Sequence, residues 1–242
     1  MRGMEPGTIS VRVWRGREDG GFAEYSVPRR ASQTVLDVVT FIQRKLDPTL
    51  AYRYACRVGM CGSCAMTVNG RPRWTCRTHV AKLGAGPLTL EPLANLPRIK
   101  DLAADLAPFF DKWAQALGRF VPPAESKAEF AEVPPDSKAR QAADAGIECI
   151  GCAVCYAACD TAAWNPDYLG PAALNRAWTL MNDVRDAAGP ARLAAIAEAG
   201  GCSACHSHQS CREHCPKNLN PTASIAGLKR MVAKAALAGD IE

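Results

Sequence analysis

The chain has 242 residues, a formal net charge of +5 and an ordinary balance of apolar (48%) and charged (22%) residues, which is room for one large domain or two of common size. No apolar run approaches the ~18–20 residues of a membrane span, and Met1–Thr8 is too short and polar for a secretory signal or transit peptide, so the chain itself is expected to be soluble. Lys and Arg are dispersed, with no basic run and no basic stripe interleaved with aromatics, which excludes nucleic acid as a partner.

In chain order, Ile9–Trp14 alternates apolar and polar residues at the period of a half-buried strand. Phe22–Val27 is set to pair with it across the turn signal Arg17–Gly21. Ser32 or Thr34 can cap a helix over Val35–Leu46, whose Leu36, Val39 and Ile42 recur every third residue and which Pro48 closes. Ala65–Val68, the Asn69-Gly70 turn and Arg71–Trp74 read as a hairpin, and Leu88–Leu93 as a last short strand. The remainder reads as helical. Asp101–Leu117 carries an apolar face of Leu102, Leu106, Phe109, Phe110 and Trp113, and Val121–Pro135 is a proline-rich surface connection. Pro171–Ala187 follows, opened by its proline, then a short alanine-rich helix over Ala191–Ala199, then Pro221–Leu237. The boundary between the halves is expected near Leu96–Asp105.

Twelve cysteines are the unusual feature, in three tight groups: Cys56–Cys76, Cys149–Cys159 and Cys202–Cys215. Disulfide staples would be scattered through a small secreted chain. Spacings of two residues instead put thiolates around a common point, which implies metal binding in a reducing compartment. Cys56, Cys61, Cys64 and, twelve residues on, Cys76 match the plant-type spacing for a [2Fe–2S] cluster. Three cysteines on one loop must wrap a compact cluster, so the backbone turns sharply with its N–H groups toward sulfur, and Gly59 and Gly62 allow that turning. Cys76 closes the site from the hairpin, and Arg57 and Arg77 stand beside the ligands to offset cluster charge. A structural zinc site wants two close cysteine pairs, which this group lacks.

Cys149, Cys152, Cys155 and Cys159 form the bacterial ferredoxin run, and Cys205, His208, Cys211 and Cys215-Pro216 repeat its spacing with histidine in the second place. In two-cluster ferredoxins the fourth cysteine of each run ligates the other cluster. Cys149, Cys152, Cys155 and Cys215 then complete a [4Fe–4S] cluster, and Cys205, Cys211 and Cys159 supply three thiolates to the last one. A cubane corner without a thiolate tends to lose its iron, which makes [3Fe–4S] the expected product. Two rivals stay open: His208 ligating the fourth iron, or Cys202 swinging in. Cys202 otherwise reads as a small buried thiol. His79 and His214 read as surface or local hydrogen-bonding groups. The expected fold class is α+β: a plant-type (β-grasp) [2Fe–2S] ferredoxin domain over residues 1–103, then an all-helical domain like the bacterial ferredoxins over 104–242.

On these residues the chain resembles the iron–sulfur subunit of succinate dehydrogenase and fumarate reductase, the succinate:quinone oxidoreductase family. The order of the three clusters is that family's. So are Tyr52–Cys56, Cys61–Cys64, Pro92–Asp101, Trp164–Pro166, Gly170–Ala172 and Cys215–Lys217 with Asn220-Pro221, and the similarity covers nearly the full length. Cys155–Cys159 is similar to the fumarate reductase branch, whereas Trp164 and Cys205–Ser207 look like the succinate dehydrogenase branch. The resemblance implies a subunit with no substrate chemistry of its own. It would relay single electrons between the FAD of a flavoprotein partner and a quinone at the junction with membrane-anchor subunits. Trp164 and His206 would border that quinone, and Thr161 occupies a position that contributes a hydroxyl in relatives. The expected location is the cytoplasmic face of a bacterial inner membrane, peripheral through the anchors. The alternatives are the same relay run as a quinol:fumarate reductase, or a soluble multi-cluster ferredoxin serving another flavoprotein. Two positions depart from the family: Asp160 stands where proline is usual, and His208 where a non-ligating residue is usual.

Overall fold

Alternation builds the first sheet. In β1 (Thr8–Arg15) the side chains of Ile9, Val11 and Val13 are buried and those between them exposed, as a strand with one wet face requires. β2 (Gly21–Pro28) pairs with it antiparallel from Thr8↔Pro28 to Arg15↔Gly21, so the expected turn at Arg17–Gly21 sets the register. The hairpin β3 (Ala65–Val68) and β4 (Arg71–Trp74) turns at Asn69-Gly70, both at positive φ. β5 (Leu88–Glu91) runs parallel to β1 and antiparallel to β3, giving the order β2-β1-β5-β3-β4. α1 (Val35–Phe41) begins with a capping box between Thr34 and Asp37 and continues as a wider turn over Ile42–Leu46. Its Val38, Val39 and Ile42 pack with Val11, Val13, Val27 and Leu90 of the sheet in one core. A mixed sheet gripping a helix this way is the β-grasp arrangement.

The structure, a computed structural model, describes residues 7–84, 86–124 and 131–241. It divides into two compact units: residues up to Leu106 with Ile150–Ala157, and Ala107–Cys149 with Ala158 onward. Part of the expected surface connection over Val121–Pro135 lies outside the described residues.

The helix expected from Asp101 starts later. Asp101 sits at φ 51°, and its buried carboxylate accepts from the N–H groups of Gly16 and Ala51, both at 2.7 Å, while Arg15 pairs with it at 3.1 Å. Arg15 also bonds Asp47 and Tyr25, and Leu102 joins the first unit's core. Two short strands, β6 (Arg98–Lys100) and β7 (Ala103–Ala104), occupy this stretch, and α2 runs only over Ala107–Gln115. Pro108 marks the true start, because proline is tolerated in the first turn of a helix and not in its interior.

The second unit is helical. α3 (Lys138–Ile147), capped by Ser137, was not expected from the sequence, nor were the short α4 (Val154–Ala157, which belongs to the first unit) and α5 (Asp160–Trp164). α6 (Pro171–Met181) is the unit's buried centre and ends before the expected Ala187. Asn182 turns back to the carbonyl of Trp178, and the segment after it is fixed by Asp186. α7 spans Gly189–Ala197, α8 Ser210–Glu213 and α9 Pro221–Ala238. The side chains of Arg192 on α7 and Asp186 are both fully buried and paired at 2.7 Å. Asp186 also accepts from Val121 N–H and Ala188 N–H, and Arg192 donates to the carbonyls of Leu117 and Arg119. Every polar group of this buried pair is used, as a buried ion pair demands.

Candidate metal centres

The first cysteine loop is shaped by its backbone. Arg57, Gly59 and Gly62 stand at φ 61°, 77° and 73°, which folds the chain back on Cys56. Its Sγ accepts from the N–H groups of Met60 (3.2 Å) and Cys61 (3.3 Å), and the Cys56 N–H faces Cys61 Sγ at 3.5 Å. Backbone donors from Val58, Met60 and Cys61 hold the Cys56 thiol down to about 6. Cys64 and Cys76 are buried beside Leu36, Trp74 and Val154. Burial, with the neighbouring Cys64, pushes Cys76 up to about 12. Thr75 is fully buried and donates through Oγ1 to the Cys64 carbonyl at 2.8 Å, which fastens the end of the hairpin that carries Cys76 to the loop. A Cβ on Gly62 would lie 2.4 Å from Cβ of Cys152, so this loop packs directly on the second cysteine run. Arg57 lies over the Tyr54 ring, 4.8 Å from its centroid. Trp74 Nε1 is buried without a hydrogen-bond partner among the described residues. Four thiols, N–H groups aimed at sulfur and glycines where side chains would collide suit a thiolate-held cluster of the [2Fe–2S] kind.

In the second run Cys152 is flanked by Gly151 at φ 64° and Ala153 at φ 61°. His208 is flanked in the same way by Ser207 at 59° and Gln209 at 67°. The histidine therefore stands on the same local backbone as the cysteine it replaces, at a cost in strain for three non-glycine residues. Cys152 and Cys155 belong to the first unit, and Cys149 and Cys215 to the second.

Cys159, Cys205 and Cys211 converge on a cavity of about 20 Å³ in the second unit, lined also by Asp160, Thr161, Tyr168, His208 and Thr222. Four separate segments contribute: the start of α5, the loop leading into α6, the 205–211 stretch and the first turn of α9. Burial pushes the Cys159 and Cys211 thiols up, and charge on Cys205 adds to both. Opposing this, the hydroxyl of Thr161 bonds Cys159, and Thr222 Oγ1 lies 3.2 Å from Cys211 Sγ. Cys205 Sγ accepts from the Ser207 N–H at 3.4 Å, and Lys229 donates to the Cys205 carbonyl at 2.7 Å. Cys202 is buried in a short turn, Cys202–Ala204, and does not line the cavity. Three thiols with hydroxyl and N–H donors suit a sulfur-rich anionic cluster.

Beside this cavity three rings meet. Trp164 stands edge-on to His206 (6.0 Å between centroids) and to His208 (5.9 Å), and the two imidazoles are 6.1 Å apart. Trp164 is 59% exposed, a large apolar ring left open to a partner or ligand. Thr161, by contrast, is buried. His214 bonds the Ser210 carbonyl and takes no part. Sequence reasoning missed Tyr168 and Thr222. Nothing in their spacing singles them out, although Thr222 follows the Asn220-Pro221 start of α9.

Comparison with known proteins agrees with this arrangement. Residues 9–111 match the family model of a 2Fe-2S iron-sulfur cluster binding domain, and residues 148–220 that of a 4Fe-4S dicluster domain. The fumarate reductase iron-sulfur subunit of Mycobacterium tuberculosis is 36% identical over 219 residues, 89% of this chain and 87% of that one. The succinate dehydrogenase iron-sulfur subunit of Paracoccus denitrificans is 36% identical over 199 residues, 82% and 76% of the two chains. Among solved structures, a chain of the Mycobacterium smegmatis Sdh1 complex in the apo form superposes with a TM-score of 0.88 at 26% identity, covering 96% of this chain and 98% of that one. The α+β reading, a 2Fe-2S ferredoxin domain followed by a helical dicluster domain, agrees with all of these. The chain belongs to the family of iron–sulfur subunits of succinate dehydrogenase and fumarate reductase, electron-transfer proteins of an oxidoreductase complex.

Proposed function

We propose that this chain is the electron-relay subunit of a membrane-bound succinate:quinone oxidoreductase, with a first domain over residues 1–103 and a second over 104–242. When bound, the clusters supply one-electron steps between the FAD of a flavoprotein subunit and a quinone. Cys56, Cys61, Cys64 and Cys76 hold [2Fe–2S], and Cys149, Cys152, Cys155 and Cys215 hold [4Fe–4S]. Cys159, Cys205 and Cys211 hold [3Fe–4S], with His208 or Cys202 as the residue that would complete a cubane in its place. Trp164, His206 and Thr161 face the quinone, and the chain is held at the cytoplasmic face of the membrane by anchor subunits. Among the described residues no helix is long and apolar enough to cross a membrane, which accords with a peripheral place.

The observation that carries the quinone end is the exposed Trp164 set edge-on to His206 and His208 beside the three-thiol cavity. A flat apolar ring with imidazole donors at its edge is what a quinone carbonyl and ring would meet. The same relay run from quinol to fumarate is the second reading, because relatives of both names align at equal identity. In the purified complex, Trp164→Leu is expected to leave iron content and all cluster EPR signals intact while slowing succinate-dependent quinone reduction at least tenfold. Unchanged quinone kinetics would remove Trp164 from the site, and a chain that purifies alone, without flavoprotein or anchor, would favour a free-standing ferredoxin.

A further inference from the structure

We infer that the hydroxyls of Tyr168 and Thr222 are positioning groups that hydrogen-bond the thiolates of Cys205 and Cys211 and so raise the reduction potential of the cluster those cysteines hold. The inference rests on the ligand assignment proposed above. Tyr168 is only 1% exposed, yet it lines the cavity with the three thiols, Cys205 among them. A phenol this deeply buried needs a partner for its O–H. The ring is fixed from both sides in sequence: the Tyr168 N–H bonds the Asn165 carbonyl at 3.2 Å, and the Leu169 N–H bonds Gly200 at 2.8 Å.

Thr222 is held as firmly. It lies in the first turn of α9, which Asn220 caps through the Ala223 N–H at 3.1 Å, and its Oγ1 is 3.2 Å from Cys211 Sγ. Cys159, the third thiol, has the hydroxyl of Thr161. The cavity of the three thiols is thus lined by three side-chain hydroxyls, on residues drawn from α5, the loop before α6, and α9. In the first cysteine loop the contrast is plain among the described residues: Cys56 Sγ is served by the backbone N–H groups of Met60 and Cys61.

Reduction adds one electron, and the added negative charge spreads onto the thiolate sulfur atoms. A hydroxyl donating to that sulfur stabilises the reduced form more than the oxidised one. No bond breaks and no proton leaves. The buried phenol, enclosed with the thiols, keeps its O–H as the donor. The effect is to make the last carrier a better electron acceptor without altering its ligands.

The test is a redox titration of the EPR signals in the purified complex. Tyr168→Phe keeps the ring and removes the donor. At fixed potential it should lower the ratio of reduced to oxidised third cluster about tenfold, ~59 mV for a one-electron couple, while the other two clusters titrate unchanged. Thr222→Val should shift the same signal the same way, and Thr222→Ser, which keeps the hydroxyl, should not. If Tyr168→Phe loses iron, Thr222→Val against Thr222→Ser decides the matter alone. Tyr168→Phe and Thr222→Val titrating together with the unsubstituted complex would overturn the inference. An unsubstituted complex without a third cluster signal would instead overturn the ligand assignment on which it rests.

Discussion

The first cysteine loop and the three-thiol cavity solve one problem with different materials. In the loop, three of four cysteines lie within nine residues (Cys56–Cys64), and the donors are backbone N–H groups of the same loop. In the cavity, Cys159 and Cys205 are far apart in sequence, and the donors include hydroxyls from still other segments. A local site depends on the conformations of a few residues. A non-local one depends on the packing that brings its parts together.

The two should therefore break differently. The largest expected effect falls on the non-local site. Asp186→Asn leaves the buried Arg192 guanidinium without its counter-charge, in a pair that bonds no cysteine, and should cost about 3–5 kcal/mol. Thermal unfolding of the complex should show the third cluster signal lost at a lower temperature than the [2Fe–2S] signal. The same pair gives a pH signature. Burial alone would raise the Asp186 carboxyl, but Arg192 and the N–H groups of Val121 and Ala188 outweigh it and hold it below the ordinary range. Its contribution is present above the ordinary carboxylate value near ~4 and is lost as pH falls through the lower folded value. Acid unfolding of the unsubstituted protein should show this limb, and Asp186→Asn should lack it.

A smaller effect is expected in the local site. Gly62→Ala demands a left-handed alanine with its Cβ against Cys152, about 1–3 kcal/mol of backbone strain before the collision is relieved. It should diminish or broaden the [2Fe–2S] signal and leave the third signal unchanged. Equal loss of both signals would erase the distinction between a local and a non-local site.

The same distinction explains what could be read from the sequence. The β1–β2 register, the Thr34 cap, the Asn69-Gly70 hairpin and the first loop's glycines are local features, and spacing alone reveals them. The late start of α2 was legible only in Pro108, because the pull on Asp101 comes from Gly16 and Ala51, distant in sequence. The early end of α6 was hidden for the same reason: Asp186 is turned by Arg192 and Val121. At the three-thiol cavity the cysteines were legible by spacing and Thr161 by family resemblance. Tyr168 and Thr222 were not, since only packing puts their hydroxyls beside sulfur. The shared backbone of Cys152 and His208 was also out of reach, because Ala153, Ser207 and Gln209 are not residues that announce a positive φ.

Metal and sulfide analysis with EPR on the purified complex tests the central claim most directly. Three thiolate-held clusters predict about nine iron atoms per chain, no zinc, and a near-isotropic signal in the oxidised state from the Cys159, Cys205 and Cys211 site. About two iron atoms, or zinc in place of iron, would contradict it.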